Sequence, residues 1–581
     1  MTLLAGIFNR TGALRLSAEH LANFRRAVSR NDSDAVLLVR DESAVLAKVD
    51  IGVFGSPAML EDAEAVTMVA GEPILASAGP GADSRAADVA ILHDALKREE
   101  YDRLRDARGT FSCAHYARAS HRLVLATDKV GIRPIYWWTD DETVVFSSTL
   151  RLLESLAWVT KRPDLRGMAE QIAFGFALGS RTPYQGISLL RPGEVLECTA
   201  TGVVSSEYWK WQDIHRSNEG LDTLTARAYD SFIDAVRLRQ GGDRNATAFL
   251  SGGLDSRCVV AALRADDVAV HSFNFARPSS EDRVYGAELA RAAGTVHEEK
   301  LMDDEIDVRW SSMIANARSG STERIKTLVE RPGLIWSGDG GSVGLGHVYI
   351  RPAIAQLCEA GDLEGAAGAY VAAERAILPK RLLNAEVASV MVAAPRTGVI
   401  EELTRLEMPE LLQTFYLMLL HNDQHRHLFR HFEDIDLHRV ELQLPFFDSA
   451  FLTVIASVPI EARLYHRFYN KWITRFPSYV ANTYWQAYPG HEPCPIPKSH
   501  DLAYQWDPSF AAAKRRDARR KTVQVAVRTL LSSGFASGIM SRRTLAMAAL
   551  VQLSGRREME HIIYAARSIQ QYWDASRRSA V

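Results

Sequence analysis

Five cysteines in 581 residues leave little for a covalent scaffold. Cys113, Cys198, Cys258, Cys358 and Cys494 are scattered, with no Cys-x-x-Cys pair and no spacing suited to a metal. That usage excludes a disulfide framework or zinc module and points to a reducing compartment. Long apolar runs are missing too. No stretch reaches the about 18 residues of a membrane span, and the opening MTLLAGIFNRTGALRL is too short in apolar residues for a signal peptide. Neither charge dominates: the formal net charge is −3, which gives no global reason for contact with nucleic acid. The expectation is a cytoplasmic globular protein without a membrane span or a nucleic-acid partner. Its 581 residues exceed one ordinary core, so two or more domains are expected.

What is present changes texture along the chain. Residues 1–210 read as short strands rich in Val, Tyr, Trp and Thr, cut by Asp-Asp and Gly-Pro turns, with one helical pattern at RAADVAILHDALKREEYDRL. That is a layered α+β domain. Residues 211–581 are mostly helical, with short apolar strands predicted at Ala246–Leu250, Val268–Phe275 and Leu334–Ser337, which suggests an α/β domain on a parallel sheet. From Pro352 on the pattern is almost wholly helical. The end, about 508–581, is basic: from Ala511 there are 14 Lys/Arg against 4 Asp/Glu. It is either a solvated helical face or a docking surface for an acidic partner.

One stretch carries chemistry. In TAFLSGGLDSRCVVAAL a strand ends at Ser251-Gly252-Gly253 and a helix begins near Asp255. Two glycines permit a sharp turn and leave N–H groups unobstructed. With the Ser251 and Ser256 hydroxyls and the helix end, they would cradle an anion. The absence of Gly-Lys-Ser/Thr excludes a Walker loop. Asp255 suits such a site only if a cation accompanies the anion, as in a Mg²⁺-bound polyphosphate.

The segment Ser251–Ser256 resembles the pyrophosphate-binding loop of the ATP pyrophosphatase superfamily, and more closely that of the asparagine synthetase family. The resemblance continues, with gaps, at Gly294-Thr295-Val296-His297, at Ser337-Gly338 in WSGDGGSVGLGHVY, and at Glu441, Pro445, Phe446 and Asp448 in HRVELQLPFFDSAFL. It implies ATP and Mg²⁺, an acyl-adenylate, and AMP and pyrophosphate as products. The nucleotide would be held by Leu250, Ser251, Gly252, Gly253, Leu254, Asp255, Ser256, Phe275, Ser337 and Gly338. Asp339 would ligate Mg²⁺ with Asp255 or act as base toward the attacking amine; a helix N-cap is the structural alternative. Lys471 and Lys498 are candidates for contacting phosphate or carboxylate, against the reading of ordinary surface lysines.

The first region resembles the family's glutamine amidotransferase domain, an Ntn-type sandwich, at Asp128, Gly131, Arg133, Pro134 and Tyr136. Glutaminase chemistry needs a cysteine nucleophile and an oxyanion donor. The family's Cys-Gly-Ile reads Ala5-Gly6-Ile7, and its Asn-Gly-Glu reads Ala70-Gly71-Glu72. The domain is therefore read as structural, and the amine must come from elsewhere. Family members without the nucleophile include β-lactam synthetases and lasso-peptide macrolactam synthetases. The catalytic tyrosine of the former falls at Asp339, and a second Mg²⁺ aspartate at Ser342. The segment Trp485–Trp506, rich in Pro, Trp and Tyr, resembles that of the lasso-peptide enzymes and suits either a groove for an extended peptide or core packing. The resulting expectation is an ATP-dependent macrolactam synthetase acting on a ribosomal precursor peptide, with a leader peptidase and a leader-binding protein as partners. The alternatives are a β-lactam or ammonia-dependent asparagine-type synthetase, and a non-catalytic scaffold.

Overall fold

The structure, a computed structural model, describes residues 2–75, 84–301, 329–498, 502–505 and 515–578. The first 207 residues hold two six-stranded antiparallel sheets packed face to face. In the first, Thr2–Asn9 lies between Ala44–Asp50 and Thr143–Ser147; the second is built on Ala65–Gly71, Phe111–Ala117 and Arg122–Thr127. Strand alternation explains the layering. Leu4 and Phe8 enter the core between the sheets with Met68, Ala114 and Leu125. Leu3, Ala5 and Ile7 point the other way, into a core that also holds Phe24, Val28 and the second region's apolar residues. Ala5 is 1% exposed, so where the family's nucleophile would stand there is only packing. Beside Gly71, the Arg85 side chain donates to the Gly71 and Ser56 carbonyls and pairs with Asp50.

The second region is an α/β unit on a five-stranded parallel sheet. Its elements are β1 (Asn245–Phe249), α1 (Asp255–Ala265), β2 (Ala269–Ala276), α2 (Glu281–Ala293), β3 (Val296–Leu301), β4 (Leu334–Trp336) and β5 (Glu441–Gln443). The strand order is β3-β2-β1-β4-β5, all parallel. The three predicted strands are present. β5 falls inside the stretch read as helical, because a three-residue Glu-Leu-Gln strand is too short to show a period. Chain progression reverses between β1 and β4, and open parallel sheets bind ligands outside the carboxyl ends of their strands at that switch. The Ser251–Ser256 loop follows β1 and the Ser337-Gly338 loop follows β4. Topology alone thus brings the two motifs together.

Helices complete the second region: α3 (His425–Glu433), α4 (Arg467–Trp472), and a terminal trio α5 (Arg515–Leu530), α6 (Arg542–Ser554) and α7 (Glu560–Arg577). Among the described residues, no helix is long and apolar enough to cross a membrane. Buried ion pairs join the two regions. Arg133 meets Glu441 at 2.7 Å with both side chains buried. Arg108 and Arg239 converge on Asp448 at 3.1 and 2.8 Å. Gln443 donates to Glu72 at 2.7 Å. Burial works to raise the Glu441 carboxyl, but the Arg133 guanidinium outweighs it and holds it at about 2.

Candidate active site

The loop after β1 forms as its glycines allow. A side chain at Gly252 would run into Asp282 and the Glu281 carbonyl at 2.9 Å, and one at Gly338 would meet the Ser256 nitrogen at 2.7 Å. Glycine at both positions lets α2 and the β4 loop press against the turn. One expectation needs correction: the loop N–H groups are not free. Ser251 N–H donates to Ser256 Oγ at 3.0 Å, Gly252 N–H to Asp282 Oδ1 at 3.1 Å, and Gly253 N–H to Ser251 Oγ at 3.2 Å. Enclosed donors must find acceptors, so Asp282 and the serines occupy those N–H groups. An incoming anion would have to displace them, or use the remaining N–H groups at the start of α1. Burial pushes Asp282 up to about 6.

Asp255, at the first turn of α1, is the hub. Its Oδ1 accepts from Tyr469 Oη at 2.6 Å and its Oδ2 from Ser342 Oγ at 2.5 Å. Burial raises its pKa to about 6; the two hydroxyls pull it down, and the charge of Asp339 pushes it up again. Asp339 is no helix cap: the short helical turn Gly341–Leu345 is capped by Gly340 without a side-chain bond, and Asp339 Oδ2 accepts from Ser337 Oγ at 2.6 Å. Two carboxylates face each other here, and among the described residues no third His, Cys, Asp or Glu completes a closed metal-binding cluster. Such a pair, short of protein ligands, fits Mg²⁺, which takes one or two carboxylates and fills its shell from phosphate and water.

These residues border a cavity of about 1320 Å³. Ser251, Gly253, Leu254, Asp255, Ser256, Leu250, Phe275, Ser337, Gly338 and Asp339 line it; Gly252 sits behind the loop. Phe249, Phe273 and Phe275 pack edge to face at the ends of β1 and β2, giving an apolar wall beside the loop. On the same wall Asn274 Oδ1 is buried without a partner, an acceptor open to a ligand N–H.

The lysine candidates do not reach the cavity. Lys471 pairs with Asp222 at 2.9 Å on the outer surface. It lies two residues after the inward-facing Tyr469, which on a helix is about 200° round. Lys498 pairs with Glu281, behind the loop. Four other residues take part. Ser342 and Tyr469 hold Asp255. Arg257, fully buried, donates to the Gly252 and Gly253 carbonyls and to Val480, Thr483 and Tyr484, tying the segment before Trp485 to the loop. His427 lines the cavity, where burial lowers its pKa and the Asp339 charge opposes that. The resemblance had already placed Ser342 at the metal site; for Arg257 and His427 the signals were an arginine on the apolar face of DSRCVVAAL and the run HRH at 425–427. The segment Trp485–Trp506 is divided in its roles: Trp485 is core, whereas Gln486, Tyr488, Tyr504 and Gln505 line the cavity; Trp506 lies outside the described residues.

Residues 81–209 match the glutamine amidotransferase domain family and residues 227–313 the asparagine synthase family. Asparagine synthetase [glutamine-hydrolyzing] 3 of Bacillus subtilis (strain 168) is 27% identical over 29% of this chain and 28% of its own length. Putative asparagine synthetase [glutamine-hydrolyzing] 2 of Methanocaldococcus jannaschii is 23% identical over 32% of this chain and 37% of its own. The matches thus span well under half of those relatives. Among solved structures, glutamine phosphoribosylpyrophosphate amidotransferase from B. subtilis aligns with 58% of this chain and 81% of its own, at 12% identity and a TM-score of 0.24, too low to bear on the fold.

Proposed function

We propose that this member of the asparagine synthetase family is an ATP-dependent amide-forming ligase, and that its substrate is a peptide which it closes into a macrolactam. The carrying observation is the cavity. Small-molecule sites occupy about 300–1,000 Å³, whereas this one measures about 1320 Å³ and runs from the β1 loop to the terminal helix α7. An amino acid and ATP leave much of it unused. The second support is Ala5, buried where an ammonia-releasing nucleophile would stand, so the amine is supplied by the substrate.

On this reading the β1 loop and the start of α1 hold the β- and γ-phosphates, and the phenylalanine wall takes the adenine. Asp255 and Asp339 would hold Mg²⁺, which when bound offsets the polyphosphate charge. A peptide Asp or Glu carboxylate attacks the α-phosphorus; pyrophosphate leaves and an acyl-adenylate forms. The peptide's N-terminal amine then attacks the acyl carbon, AMP leaves, and one proton passes to an acceptor. His427, whose imidazole is held below its usual pKa, is the acceptor lining that end. The activated acyl group must be kept from water until the amine attacks, and holding both ends of one chain supplies the proximity for ring closure. A leader peptidase and a leader-binding protein would act upstream, since the amine must be free.

The test uses two altered peptides with an AMP assay and mass spectrometry for loss of one water. Converting the reacting Asp or Glu to its amide removes the nucleophile, so no AMP forms. Acetylating the N-terminus blocks only the second step, so AMP appears slowly and no ring forms. Asp255→Ala abolishes AMP formation with the unaltered and the acetylated peptide while the far-ultraviolet spectrum is unchanged. ADP as product, or a ring from the amide peptide, would overturn the mechanism.

A further inference from the structure

The end of the cavity farthest from Asp255 is built from two facing helices. On α7, Tyr564, Arg567, Ser568, Gln571 and Tyr572 recur at intervals of three and four, one polar face turned to the cavity. The opposite side of α7 buries Ile563, Ala566 and Ile569 in the core that anchors the terminal trio. Across from it stands α3 with Arg426, Arg430 and Glu433. Burial raises the Tyr572 phenol and the Arg430 charge pulls it back, so the two faces are within electrostatic reach.

The charges of this chamber are mostly matched. Arg30 is paired with Asp434 and Asp436, Arg151 with Asp436, Arg181 with Glu170 and Glu401, and Arg426 with Asp423 and Glu374. Glu433 accepts from the Leu150 and Arg151 N–H groups, and Glu154 from the Tyr184 hydroxyl. Among the described residues, Arg430 and Arg567 are the two cavity arginines that make no ion pair. Two guanidiniums without ion-pair partners on facing helices of one cavity, Arg430 exposed and Arg567 half-buried, flanked by tyrosine, serine and glutamine side chains, make an anion site.

We infer that Arg430 and Arg567 bind a second carboxylate of the substrate peptide, remote from the one that is adenylated, and so anchor the part of the peptide that stays outside the ring. This rests on the peptide reading above. A planar carboxylate accepts two guanidinium forks at once, and both arginines project from rigid helices rather than loops. The site would therefore fix how deep the peptide sits, and hence which acidic side chain reaches the β1 loop.

Capture from randomised synthetic peptides tests this with the full chain. Every peptide has a free N-terminus and one internal acidic residue. One pool ends in a carboxylate, a second in an amide, and a third in an amide with one additional acidic side chain. The wild-type protein, in the presence of ATP analogue and Mg²⁺, should enrich the first or third pool about tenfold over the second, the loss expected when a charge-assisted bond is removed. Which of those two pools is enriched tells a chain-end carboxylate from a side-chain one. Arg430→Gln with Arg567→Gln should erase that preference while ATP-analogue binding stays unchanged, and Arg430→Lys with Arg567→Lys should restore part of it. Equal capture of all three pools overturns this assignment alone. Capture of none overturns the peptide reading and this site with it. An unchanged preference in the double glutamine variant places the anion site elsewhere and also refutes the assignment.

Discussion

Tyr469→Phe removes one oxygen and leaves the ring, which is fully buried against Trp472 and His466. The lost hydroxyl is the donor to Asp255 Oδ1. A hydrogen bond to a charged group contributes about 1.5–3 kcal/mol, and about 1.4 kcal/mol corresponds to one pH unit. Asp255 should therefore rise from about 6 by about one to two units, to roughly 7–8. The sign follows from linkage. A carboxyl whose folded pKa exceeds its unfolded value of 3.8 costs stability when ionised, and that cost disappears as pH falls through the interval between the two. The variant's extra instability should therefore be full near pH 8 and gone below about pH 5. Denaturant unfolding of nucleotide-free protein at those two pH values measures it, and a carboxyl carbon titration reads Asp255 directly. AMP formation should fall more near pH 7 than at higher pH. An equal loss of stability at both pH values, or an unmoved Asp255 titration, would refute the claim that this hydroxyl holds the ionised carboxylate.

Other outcomes follow from the same contacts. Arg133→Met and Glu441→Gln, each leaving a buried charge or its unpaired partner, should cost about 3–5 kcal/mol singly; Arg133→Met with Glu441→Leu should cost less than either, as read by denaturant unfolding. Lys471→Ala should leave AMP formation at the wild-type rate, because its ammonium faces Asp222 on the surface; a large fall would bring Lys471 back into the site. Added glutamine should yield no glutamate from the purified protein, since Ala5 and Ala70 are core alanines. Turnover above background would reveal chemistry in the first region by another route.

The sequence was most legible where one element decides the outcome. Ser251–Ser256 reads as strand, turn and helix start because the glycines and the apolar run are adjacent, and the structure puts the turn at the switch of the parallel sheet. What escaped reading comes from far along the chain. Tyr469 reaches Asp255 across 214 positions, and Arg257 binds carbonyls more than 220 positions away. Lys471 was a candidate in the sequence, but a helix separates neighbours by angle, and the angle that turns Tyr469 inward turns Lys471 out.

The family-like residues outside the loop have a different lesson. Arg133 from one region and Glu441 from the other form a single buried pair, and Asp448 collects Arg108 and Arg239. These residues join the two regions instead of performing a reaction. That bears on why a sheet region with alanine at its nucleophile position belongs in the molecule. Tyr136, Arg151, Glu154 and Gln171 from this region line the cavity that begins at Asp255. Removing the region would strand Glu441 as a buried, unpaired charge, take Arg108 from Asp448, which keeps Arg239, and remove one wall of that chamber. On the proposed function, the region without a nucleophile would thus supply both Arg133, the partner of Glu441 at the sheet's edge, and one wall of the cavity in which the reaction would run.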